Sequence, residues 1–142
     1  MNTKKMAPPL EDPKVHVKLK LAALWTSLMF CYIYGDYFGL YKPGTLQSIL
    51  QGQMGPLGPV TEGVLLGTAA LLAVPGLMIF LSLVLKPVLN RLVNMVLGAF
   101  YAAIMLVSMP GAWMFYIFLG VIEIALSLLI VWYAWRWPRQ AS

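Results

Sequence analysis

Four apolar runs, at about 19–41, 61–85, 92–109 and 113–135, occupy most of the chain, and each has 18 residues or more. At about 1.5 Å per residue, each run as a helix crosses most of a hydrocarbon core about 30 Å thick. Composition agrees: 61% of the 142 residues are hydrophobic and 11% charged, with a mean hydropathy of +0.79. A soluble domain carries about 25% charged residues, so a water-soluble fold is excluded. The expected fold is all-α, an integral membrane four-helix bundle. The expected layout is a disordered basic tail over 1–18, a four-span domain over 19–137 and a short tail over 138–142.

The net charge of +5 does not point to nucleic acid. Lys4, Lys5, Lys14, Lys18, Lys20, Lys86, Arg91, Arg136 and Arg139 all flank spans on one side, and only Lys42 falls on the other. By the positive-inside rule the expected location is the inner (cytoplasmic) membrane with both termini in the cytoplasm. Lys14 to Lys20 alternates basic and apolar residues with no second strand to pair with, and reads as an interfacial lead-in near anionic headgroups. There each Lys is worth about 1 kcal/mol.

Within the first span, Trp25, Met29, Tyr32, Asp36 and Gly39 recur at steps of three and four, which puts them on one helix face expected to point inward. Lys42-Pro43-Gly44 stops this span. Leu46, Ile49, Leu50 and Met54 then fall at helical spacing with glutamines opposite, the pattern of a short amphipathic surface helix between spans 1 and 2. Thr61 is an expected N-cap, with Glu62 favoured in the first turn. Gly63-Val64-Leu65-Leu66-Gly67 is a G-x-x-x-G expected to admit a neighbouring helix, and Pro75-Gly76 is an expected kink. Lys86 to Arg91 reads as a tight turn. The third span places Asn94, Gly98, Ala102 and Met105 on one stripe. The fourth places Tyr116, Gly120, Glu123, Ser127 and Val131 on one face.

Glu123 is the deepest charge-capable group, near the midpoint between Trp113 and Trp135. No Lys or Arg shares its depth, and an isolated buried charge is costly. Its expected form is the neutral acid, hydrogen-bonded to a Tyr, Asn, Thr or Ser. Asp36 lies about four to six residues inside the opposite boundary, within reach of water, where it is a proton or cation entry point or a hydrogen-bond hub for Tyr32 and Tyr37. The candidate polar face comprises Asp36, Glu123, Tyr32, Tyr37, Asn94, Tyr116 and Ser127.

There is no G-x-S-x-G, H-E-x-x-H, P-loop or G-x-G-x-x-G, so no enzyme signature is present. The lone His16 and Cys31 exclude a Cys/His zinc site and an intrachain disulfide. No cofactor or metal is expected. The expected partners are the lipid bilayer and a homo-oligomer or membrane partner protein. Two functions fit: a non-enzymatic binding or interaction protein using a buried polar helix face, and a proton-coupled small-molecule transporter using Glu123 and Asp36. A polar cavity lined by both carboxyls favours the transporter, and a closed bundle favours the binding protein.

The segment from Trp25 to Pro59, and above all Tyr34-Gly35-Asp36-Tyr37-Phe38, resembles a family of small bacterial four-span membrane proteins catalogued only as a domain of unknown function. The likeness covers nearly all of residues 18–140. It implies the four-span fold and a bacterial membrane, and it brings no catalytic or binding residues. Small multidrug exporters also combine four spans with one membrane glutamate, but theirs lies in the first span and Glu123 in the fourth.

Overall fold

The computed structural model describes residues 10–139; the expected tail segments 1–9 and 140–142 lie outside the described residues. The elements run α1 (Val17–Gly39), α2 (Thr45–Leu50), a single 3-10 turn (Gly55–Leu57), α3 (Glu62–Val84), α4 (Pro87–Ser108) and α5 (Met114–Trp135). α1, α3, α4 and α5 are 22 or 23 residues each and apolar enough to cross a membrane. No strand occurs among the described residues. The protein is an all-helical multi-pass membrane protein, with the short α2 between the first two spans.

Local chemistry sets most of these boundaries. His16 is extended, and its Nδ1 accepts the backbone N–H of Lys18 at 3.2 Å, capping α1. The alternation of Lys14 to Lys20 is therefore no extended lead-in beyond Val17, because Lys18 and Lys20 already sit in the helix. Thr61 caps α3 by accepting the N–H of Val64 at 3.2 Å, with Glu62 in the first turn. The expected turn over Lys86 to Arg91 is corrected: α4 already begins at Pro87. Proline suits the first helical position because its missing N–H has no partner there anyway, and it drives the preceding residue extended. Only Leu85 and Lys86, both extended, join α3 to α4. At the other end Gly111, at φ 76, makes the tight turn from α4 to α5.

α1 packs against α3 on one side and α5 on the other, α4 packs against α5, and α3 and α4 touch at few positions. The core gathers Leu21, Trp25 and Leu28 of α1 with Met78 of α3, Tyr101 of α4, and Ile130 and Ala134 of α5. This core fills the half of the bundle nearest the basic residues. Beyond Leu28 in α1, and before Pro75 in α3, no residue is buried. The far half is thus loosely packed on the α1 and α3 side, and Pro75 marks the boundary.

Lipid supplies no hydrophobic drive between helices, so close van der Waals packing of small residues carries their association. A Cβ at Gly98 would lie 2.9 Å from Val131, 3.1 Å from the Ser127 carbonyl and 3.2 Å from Ile130. Gly120 is equally tight, but its nearest neighbours are the Met105 and Met109 side chains, which are flexible. The G-x-x-x-G expectation is corrected. Gly67 has nothing within 4 Å, and Gly63 meets only Thr61 at 4.0 Å. The glycines that admit a helix are those of α4 and α5.

Gly98→Ala is expected to destabilise the protein by about 1–3 kcal/mol, the usual cost of overpacking against backbone. Gly67→Leu is expected to leave stability unchanged. Thermal melting in detergent reads both, and an equal loss in the two variants would contradict the assigned α4–α5 interface.

Candidate functional site

A membrane-buried amide must find partners for its donors and acceptor, and Asn94 does so fully. Its Oδ1 accepts from Trp25 Nε1 at 2.7 Å and from Ser82 Oγ at 3.4 Å. Its Nδ2 donates to the Asn90 carbonyl at 2.8 Å and to Asn90 Oδ1 at 2.7 Å. Asn90 Nδ2 then donates to the Ser82 carbonyl at 2.7 Å. α1, α3 and α4 are thereby joined through one polar knot in the densely packed half. The sequence had placed Asn94 on a packing stripe, but it missed Asn90 and Ser82 as partners. The available signal was the Asn90–Asn94 spacing of four, one helical turn, beside an apolar run.

The other expected site residues divide. Glu123 is 5% exposed and Ser127, one turn further along α5, is 1% exposed. The Ser127 hydroxyl has no hydrogen-bond partner, and the Glu123 carboxyl makes no hydrogen bond among the described residues. The partner expected for the Glu123 acid is therefore not found among the described residues, and the residue is buried with a little of its surface still exposed. Tyr32 is half-buried with its ring 6.2 Å from that of Tyr101. α1, which carries Tyr32 and Asp36, packs against α5, which carries Glu123 and Tyr116.

Asp36 is exposed on α1, so the inward face that begins with buried Trp25 turns outward by its far end. The expected Tyr37 partnership with Asp36 is replaced by a 2.9 Å contact between the Tyr37 and Tyr41 hydroxyls. Tyr116 is half-buried and donates to Ser108 Oγ at 3.0 Å. A groove of about 640 Å³ runs along Tyr37, Leu40, Tyr41, Lys42, Leu46 and Leu50 at the far end. A second, of about 530 Å³, lies on α3 around Glu62 and Leu66. Neither is lined by Asp36 or Glu123. Two polar centres result: a satisfied knot at Asn94 that packs, and Glu123 with Ser127 on α5, whose side chains make no hydrogen bond among the described residues.

Asn94→Leu is expected to cost more than Ser82→Ala. The first orphans Trp25 Nε1 and Asn90, at about 1–3 kcal/mol for each unsatisfied group, whereas the second removes only the longest bond of the knot. Unfolding in mixed micelles measures the difference, and equal stabilities would show that the knot holds nothing.

No curated protein and no solved structure matches the chain. A family model does match, over residues 12–142, nearly the whole length. Together with four spans of 22 or 23 residues, this match places the chain in the family of unknown function DUF6326.

Proposed function

We propose that the protein is a non-enzymatic membrane binding protein, in which Glu123 and Ser127 anchor the polar group of a small, otherwise apolar molecule drawn from the bilayer. The observation that carries this reading is the placing of the buried Glu123, which no described residue hydrogen-bonds, one turn of α5 from the buried and unpartnered Ser127 hydroxyl. Each unsatisfied buried group costs about 1–3 kcal/mol, and a ligand bearing a hydroxyl or amine would meet both at once. Tyr32 offers a ring on the same side, and the Met105 and Met109 side chains beside Gly120 are flexible enough to make room.

A second reading, proton-coupled transport, draws support from two carboxyls on the packed pair α1 and α5, Asp36 exposed and Glu123 buried. It is the weaker of the two, since neither described groove is lined by either carboxyl. A flux driven by a pH gradient in proteoliposomes, and abolished by Glu123→Gln, would put transport in place of binding.

The same proposal sets the protein in the cytoplasmic membrane with both termini in the cytoplasm, because Lys14, Lys18, Lys20, Lys86, Arg91, Arg136 and Arg139 lie at one end and Lys42 alone at the other. A homo-oligomer or a membrane partner protein belongs to this reading, supported by the open Gly63–Gly67 face of α3.

For the site, native mass spectrometry of the purified protein is expected to find a small molecule retained by wild type and absent from the Glu123→Met, Ser127→Ala variant. The variant's stability should be equal, or higher by about 1–3 kcal/mol, since two orphaned groups are gone. A wild type that carries nothing but phospholipid, with a variant that is less stable, would overturn the site. For topology, reporter fusions at both termini are expected to report cytoplasm, and an externally accessible terminus would invert the layout.

A further inference from the structure

Pro75 sits inside α3. Proline has no N–H, so it cannot donate to the carbonyl four residues earlier, and a kinked helix keeps one unsatisfied acceptor at that place. Here that acceptor is the Leu71 carbonyl. It accepts instead from the Tyr101 hydroxyl of α4, at 2.6 Å. The tyrosine reaches across the seam where α3 and α4 otherwise touch at few positions. Near the α3–α4 turn this seam is held by Asn90 on the Ser82 carbonyl, and midway along it by Tyr101 on Leu71.

Tyr101 is itself firmly placed. It is 4% exposed, and its ring meets Trp25 edge-on at 5.9 Å and Tyr32 at 6.2 Å. α3 before Pro75, by contrast, buries no residue. A firmly placed residue of α4 thus holds a loosely packed arm of α3 at the carbonyl that Pro75 leaves without its helical donor.

We propose that Pro75 is a hinge and the Tyr101 hydroxyl its latch, and that releasing the latch swings residues 62–74 of α3 away from α4, opening a lateral path from the bilayer into the bundle. The hinge stands on its own geometry. That the path leads to the Glu123 and Ser127 anchor rests on the binding role proposed above. Tyr32 links the two regions, since its ring lies beside Tyr101 and its helix, α1, packs against the α5 that carries Glu123.

The test is a distance measurement between spin labels at Leu66→Cys and Leu106→Cys, both exposed positions, in a Cys31→Ser background of the full chain in lipid nanodiscs. Tyr101→Phe removes one hydroxyl and keeps the ring. It is expected to add a population about 5 Å longer, the displacement of a point about nine residues from the hinge when the arm turns by about 20°. In a Pro75→Ala background the restored N–H can serve Leu71, so the same Tyr101→Phe change should produce no shift. Pro75→Ala alone is expected to narrow the distribution, which keeps the hinge testable even if Tyr101→Phe does not fold. An unshifted Tyr101→Phe protein, a shift of equal size in the Pro75→Ala background, or a Pro75→Ala distribution as broad as wild type would each overturn the hinge. These distances do not depend on a bound molecule. Loss of the Glu123 site with distances as expected would therefore reject the binding role alone.

Discussion

The side-chain amide of Asn94 is the constraint on which the rest of the bundle depends. In lipid an unsatisfied amide has no water to fall back on, so its partners must be in place whenever the protein is folded. Those partners come from α1 and α3 as well as from α4 itself, which fixes both the rotation and the depth of three helices together. A slide of α1 by one residue, about 1.5 Å, would take Trp25 Nε1 out of its 2.7 Å bond. The small residues of α4 and α5 then set the remaining contact, because Gly98 allows the two backbones to approach more closely than any side chain would.

On α1 and α3, order of this kind is confined to one half of the molecule. Towards the basic end, Leu21, Trp25, Leu28, Met78 and Ile130 are all but fully enclosed. Towards the other end the same helices expose Tyr34, Tyr37 and Phe38 on α1 and Leu65 and Leu66 on α3. The division suits the binding role proposed above, with a stiff base to hold geometry and looser arms to yield to a guest. Glu123 and Ser127 are buried on the well-packed α5, and the Ser127 backbone lies against Gly98 of α4.

Much of this was legible in the sequence, and the exceptions have physical causes. Long apolar runs reveal spans because no soluble fold tolerates them, and Thr61 before Glu62 revealed a helix start because capping is local chemistry. The stripe of Asn94, Gly98, Ala102 and Met105 did prove buried. The start of α4 was hidden because Lys86, Asn90 and Arg91 look like a loop, while the structure turns Asn90 inward as a knot partner. The Gly63–Gly67 motif misled because spacing gives a face without saying what the face meets. Asp36 was expected inside because it shares a helical face with Trp25, but a face points inward only as far as the neighbouring helices stay close. The bond from Tyr101 to the Leu71 carbonyl joins residues 30 apart, and no local pattern encodes it.

Lys18 bears on how the chain assembles. Its ammonium donates to the carbonyls of Leu83 and Leu85 at 3.1 and 2.8 Å, the end of α3, where unpaired carbonyls and the negative end of the helix dipole both favour a cation. During synthesis those carbonyls emerge more than sixty residues after Lys18. Until then the first helix holds its charge at the headgroups with nothing to grip. The first and third helices therefore close on each other only once the ribosome has delivered the whole second crossing. The α3–α4 turn forms directly afterwards and brings Asn90 to the neighbouring Ser82 carbonyl. The clasp of the first crossing at the basic end is thus closed by the last residues of the second.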